Sequence, residues 1–491
     1  QYPSEDNFQQ KVPQDIMIGS EGCTIDLYNI RVYDNDLNQY QMLDNFIGDL
    51  DDYDKALAIY NRNQVYNDYG DITYQKVLER LPCLIFEGPL PTYKGDKKTN
   101  KVYFTDLQEP GRSFSCENVQ NDVQGTSSQY YPRKNWKFKF KADITYTESG
   151  RTSPTYALRA NSIPVNAFCV KADFAESSGT HNTGMAKVIN SLLIEMGLTT
   201  PPQKTNKEVR TTVDGYPIAI FHRETASDTL EFVGKYNFNN DKSTADTFGF
   251  SEGDESWEFS NNTSDRCLFK SADFSGTDWM NDFESRYPDD DAINAEYEAG
   301  TRKPEKLMAV TSWVVSTKDN LEKFKNEVRN HFNLDNLIAY YLITELFGMV
   351  DQRAKNMFLT YFHEEGKWIF IFYDNDTCFG LNNEGLIAFG YNIEYHDKIG
   401  TLNVWNGESS VLWNNLEKCF PSEIEAMYKD IRTRGLLSYD LIMSVLNGEQ
   451  SDKWCEAIYN ADGRFKYIDP LIEEGNGSYL YAAQGSRIEN R

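Results

Sequence analysis

GMVDQRAKNMFLTYFHEEGKWIFIFYDND, residues 348 to 376, is the stretch whose reading decides the fold. It opens on a glycine that ends an amphipathic run, passes a polar loop, and continues as two apolar runs joined by His363-Glu364-Glu365-Gly366. Two such runs across a short polar turn predict a β-hairpin set among helices. Within it, Asp351 and Asn356 are five residues apart, and Asp374 and Asp376 follow the apolar strand KWIFIFY with Asn375 between them. A carboxylate at the end of a strand that is apolar on both faces is costly unless something uses it. The plainer reading is that Asp351, Asp374 and Asp376 cap turns.

Working outward, residues 303 onward read as helices. TKDNLEKFKNEVRNHF places Thr317 as N-cap with Leu321, Phe324, Val328 and Phe332 inward, and Leu334 to Phe347 repeats the pattern. The segments around SSVLWNNLEKC, SEIEAMYKDIRTRG and SYDLIMSVLNG are helical as well. Upstream, LPCLIFEG, KVYFTDL, NWKFKFKAD and NAFCVKADF alternate like strands, in the simplest reading an antiparallel sheet. Thr183 to Gly197 reads as a helix on that sheet, and Asp214-Gly215 as a hairpin signal. Residues 226–302, rich in Asp, Glu, Asn and Ser, read as an acidic surface insertion. The expected class is α+β, a β-rich lobe over residues 81–225 and a helical lobe over 303–491.

The chain has 491 residues with a formal net charge of −26, which repels nucleic acid and anionic membrane alike. Nothing approaches the run of about 18 apolar residues that a membrane span needs. Eight cysteines without a CxxC pair read as free, semi-buried thiols. Five histidines show no metal-ligand spacing, and the serine-hydrolase elbow, dinucleotide loop and P-loop are missing.

Asp-x4-Asn followed by a strand-end Asp is the set that phosphoryl transfer needs: one carboxylate to orient the attacking hydroxyl, and an Asp and an Asn to hold Mg²⁺ on the nucleotide phosphates. A second cluster, QGTSSQYYPRKNWKFKFK over 124–141, joins a small-residue turn (Gly125, Thr126, Ser127, Ser128) to a strand bearing Lys137, Lys139 and Lys141. Donors in a tight turn beside a lysine suit phosphates, although a lysine-protected edge strand is the plainer reading.

These stretches, with VDGYPIAIFHRE, resemble the CotH family of spore-coat-type atypical protein kinases. The resemblance implies a two-lobe kinase-like fold with an antiparallel N-lobe and a helical C-lobe, ATP, and Mg²⁺ or Mn²⁺. It implies Asp351 as the catalytic aspartate and Asp374, Asn356 and Asp376 at the metal. Gly125, Ser127 and Ser128 would meet the nucleotide with Lys139 as the phosphate-binding lysine, for which Lys137, Lys141 and Lys171 compete. Glu224 would face the cleft and Glu195 pair the lysine. The departures are Val-Asp-Gln-Arg for the kinase His-Arg-Asp and Asp-Asn-Asp for Asp-Phe-Gly.

Residues 1–52 resemble the end of a laminin-G or concanavalin-like sandwich, with 53–80 a linker helix, so the chain reads as a piece of a longer protein. Two functions are expected from this: a kinase acting on Ser or Thr of a coat or surface protein, or a catalytically silent structural or adhesive component of a phage virion or bacterial surface. The lectin-like start would add a glycan partner. Nucleic acid and membrane insertion are not expected, and the chain is expected to be made in the cytoplasm.

Overall fold

The computed structural model describes residues 73–125, 128–130, 133–173, 180–349, 352–379, 407 and 409–450. The chain divides into two compact units, residues 1–68 and 69–491, and all described residues belong to the second. The lectin-like reading of 1–52 therefore lies outside the described residues. Of the expected linker helix only α1 (Tyr74–Leu78) is described.

The first half is a sheet that closes on itself. Its strands are β1 (Cys83–Glu87), β2 (Lys98–Thr105), β3 (Phe114–Gln124), β4 (Asn135–Phe140), β5 (Ile144–Tyr146), β6 (Thr152–Ser153), β7 (Ala167–Lys171), β8 (Gly215–Arg223) and β9 (Glu231–Asn240). They follow the order β2-β1-β8-β9-β7-β4-β3-β5-β6, and β2 also pairs with β3, which makes a barrel. The two-residue period decides what fills it: Trp136, Phe138 and Phe140 of β4 are buried while Lys139 between them is exposed. Phe138 stacks on Phe238 with ring centroids 5.8 Å apart, and Phe104, Phe114 and Tyr156 complete an aromatic core.

Three expectations need correction here. β1 and β8 run parallel, with Leu84 opposite Ile220, whereas the sheet was read as antiparallel throughout. Alternation reports which face a residue takes, not strand direction, and β8 returns only after the helix α2 (His181–Glu195) has crossed over. β4 lies between β3 and β7, so its lysines do not protect an edge. Asp214-Gly215 is not a hairpin turn. Asp214 takes Arg159 at 3.1 Å and Arg210 at 3.5 Å, and Gly215 starts β8, where a Cβ would come within 2.7 Å of the Phe238 carbonyl.

After the short helices α3 (Pro201–Thr205) and α4 (Ala245–Phe248) comes a second sheet. It is made of β10 (Glu255–Phe259), β11 (Phe283–Tyr287), β12 (Met357–Phe362) and β13 (Lys367–Phe372), antiparallel in the order β11-β10-β12-β13. β12 and β13 are the expected hairpin. The supposed acidic surface insertion instead supplies β9, β10 and β11, with Trp257, Phe259 and Phe283 in the core. β10 and β11 are five-residue strands between acidic turns, so the average composition of the segment hides them.

Helices α5 (Asp291–Glu298), α6 (Glu305–Ser316), α7 (Leu321–His331), α8 (Leu334–Leu346), α9 (Val411–Cys419), α10 (Pro421–Thr433) and α11 (Tyr439–Gln450) accompany this sheet. α7 starts later than expected: Asn320 is its N-cap, accepting from the Lys323 N–H at 3.0 Å, and Thr317 terminates α6. Leu321 is accordingly exposed, whereas Phe324, Val328 and Phe332 are buried. Among the described residues no helix is long and apolar enough to cross a membrane.

Candidate functional site

The fully buried strand β7 carries Lys171 at its end. A lone ammonium at a buried position demands a partner, and it has one: Lys171 Nζ is ion-paired to Asp374 Oδ1, just past β13. Burial acts to lower the Lys171 pKa, but the Asp374 carboxylate, with Tyr373, Asp376 and Asp173 around it, outweighs this and holds it well above the ordinary lysine value.

Asp374 sits in the left-handed region at φ 57°, a conformation that costs about 1–3 kcal/mol in a non-glycine residue and persists only when its surroundings impose it. Those surroundings are specific. Gln352 Nε2 donates to the carbonyls of Tyr373 and Asp374, each at 2.8 Å, and Tyr340 of α8 donates its hydroxyl to the Gln352 carbonyl at 2.6 Å. At the start of α2, Asn182 accepts from the Asn375 N–H at 3.2 Å and reaches Asp374 Oδ1 at 3.5 Å. Asn356 also has positive φ, at 54°, and donates its N–H to the Phe259 carbonyl at 3.1 Å.

Lys171, Asp374, Asp376 and Asn356 line one cavity of about 340 Å³, into which Gly125 and Ser128 also project from the turn after β3. Gly125 takes φ 111°, a backbone conformation in which any side chain would be strained. Asp351 and Ser127 lie outside the described residues. Lys139 and Lys141 are exposed and do not line the cavity. Glu224 is exposed, 3.8 Å from His222, and Glu195 is exposed at the end of α2, so neither reaches Lys171. Of the competing lysines, Lys171 and Lys137 are the two that line the cavity. The signal for Lys171 was a lysine ending an otherwise apolar strand, AFCVK. Asn182 and Gln352 carried no such mark.

Ion pairs build the remaining wall. Lys137 meets Asp241 at 3.0 Å, and Glu258 is shared by Lys242 at 2.7 Å and Arg286 at 2.6 Å. Burial would raise the Asp241 and Glu258 carboxyls, but Lys137 for the one and Arg286 with Lys242 for the other hold both below their ordinary values. Depressed folded pKa values mean that this stability is present above the ordinary carboxyl range, about pH 4, and is lost as pH falls through the folded values. The urea midpoint is therefore expected to drop between about pH 5 and pH 2. It should drop less steeply in Asp241→Asn, and equal slopes would contradict the pairing.

Two carboxylates and an amide, Asp374, Asp376 and Asn356, face one cavity and are hard oxygen donors of the kind a divalent cation such as Mg²⁺ takes. Among the described residues no three His, Cys, Asp or Glu side chains gather into an ion-holding group.

No curated protein matches the chain. The family model described as CotH kinase protein matches residues 241–438, the span that holds β10 to β13, Asn356, Asp374 and Asp376. The chain is thus CotH-like and kinase-like over that span.

Proposed function

We propose that this protein is an ATP-dependent protein kinase built as two lobes, the barrel and the helical half, with Mg²⁺ or Mn²⁺ as its metal. The observation that carries the reading is the Lys171–Asp374 pair, which brings a barrel lysine onto the strand-end aspartate inside a cavity that also presents Asn356, Asp376 and the Gly125 turn. With nucleotide bound, Lys171 would hold phosphate oxygens, and Asp374, Asp376 and Asn356 would hold the metal. The acceptor hydroxyl oxygen bonds to the γ-phosphorus as the bond to the β–γ bridging oxygen breaks. ADP leaves, and Asp351, by its place in the sequence motif, takes the hydroxyl proton. The acceptor is proposed to be Ser or Thr of a coat or surface protein.

A silent structural role, as part of a bacterial surface or phage particle, has one observation in its favour: Asp374 is already neutralised by Lys171. Incorporation of labelled γ-phosphate from ATP into the protein and a generic acceptor separates the two. Label that vanishes in Asp351→Ala and Asp374→Ala supports the kinase. No label from folded wild-type protein in either metal supports the silent role.

A further inference from the structure

A strand that ends in a left-handed turn leaves main-chain carbonyls outside the ladder, and buried carbonyls need donors from somewhere. Tyr373 and Asp374 are in this position just past β13, with Asp374 at φ 57°. A glutamine amide carries two hydrogens on one nitrogen and can serve two carbonyls at once. Gln352, wholly buried, does so: its Nε2 donates to both carbonyls, each at 2.8 Å. Its own main-chain carbonyl is fixed by the Tyr340 hydroxyl at 2.6 Å.

Gln352 therefore ties together two segments far apart in the sequence. One is the loop that reaches Asn356 four residues later, itself at φ 54°, and the other is the strand end that carries Asp374 and Asp376. Lys171 and Asn182 act elsewhere, on the Asp374 carboxylate and on the Asn375 N–H. The strain of a left-handed aspartate and the worth of two neutral hydrogen bonds are of the same order, so the clamp decides how much of the population keeps that conformation. A ligand that needs the conformation binds more weakly in proportion to the fraction that remains.

We infer that Gln352 is a positioning residue for the metal site: its side-chain amide holds Asp374 in the conformation that presents the carboxylate to the cavity shared with Asp376 and Asn356. The inference rests on the metal-binding reading above and deepens it, since Gln352 does not itself line that cavity.

The test is Mn²⁺ binding to the full chain in the presence of a non-hydrolysable ATP analogue, followed by the paramagnetic resonance signal of the free ion. Gln352→Met keeps the length of the side chain and removes both donors, and should weaken Mn²⁺ binding about tenfold. Tyr340→Phe keeps the ring but releases the Gln352 main chain, and should weaken binding about threefold. Should Gln352→Met not fold, Tyr340→Phe decides. Phe104→Leu, in the barrel core, lowers the urea midpoint without touching the clamp and should leave Mn²⁺ affinity within about twofold of wild type. Gln352→Met binding Mn²⁺ as tightly as wild type would overturn the inference and leave the metal site standing. A loss in Phe104→Leu equal to that in Gln352→Met would also overturn it, because any weakening of the fold would then suffice. No Mn²⁺ binding by folded wild-type protein would overturn the inference and the metal site together.

Discussion

Asp374→Ala is expected to abolish phosphate incorporation and at the same time to destabilise the folded chain by about 3 kcal/mol, two losses with different origins. Loss of activity follows if Asp374 holds the metal. Loss of stability follows from Lys171, whose side chain is 6% exposed and would be left without its Asp374 partner. Removing one member of a buried pair costs about 3–5 kcal/mol because the other charge stays behind, and the low end applies because Asp374 is itself 23% exposed. Replacing both, as Lys171→Met with Asp374→Ala, should restore much of the stability and none of the activity. Urea unfolding and labelled phosphate transfer read the two separately. A single variant as stable as wild type would show that the pair does not help hold the halves of the cavity together.

The second large effect is remote from the cavity. Trp413 of α9 is buried, stacks on Tyr340 with centroids 5.7 Å apart, packs on Phe370 at 5.0 Å, and donates Nε1–H to the Arg353 carbonyl at 2.7 Å. Trp413→Ala is expected to cost about 4 kcal/mol, the range for truncating a buried tryptophan. Trp413→Phe keeps the stacking and loses only the hydrogen bond, about 1 kcal/mol. Because Arg353 lies between Gln352 and Asn356, Trp413→Phe should lower phosphate transfer more than its small stability cost would suggest. A Trp413→Ala loss under about 1 kcal/mol in urea unfolding would contradict this packing.

Much of this was legible in sequence, for physical reasons that differ by element. The β12–β13 hairpin stood out because apolar strands around Glu364-Glu365-Gly366 have no other economical fold, and the Asp374-Asn375-Asp376 end was conspicuous because charge after a buried strand is costly. The choice among lysines was not legible. Lys137, Lys139 and Lys171 all end or occupy strands, and only the order β9-β7-β4 puts Lys171 at Asp374 while Lys139 faces solvent. β10 and β11 were missed because five-residue strands in acidic surroundings have no composition of their own. The parallel pairing of β1 with β8 was missed because periodicity carries no direction.

That parallel pairing has a consequence for how the chain assembles during synthesis. β1 lies between β2, which follows it closely, and β8, where Cys83 finds Ala219 only after the whole intervening chain has been made. Hairpin β1–β2 can form early, but the side of β1 that belongs to β8 stays open until residue 223 has emerged, and the barrel cannot close before β9 ends at Asn240. Loop closure over such a separation is slow, and an unpaired strand edge bearing Leu84 and Phe86 invites other chains. Soluble yield from a cell should therefore depend more on translation rate and on chaperones that shield the nascent barrel than on any single contact in the finished molecule.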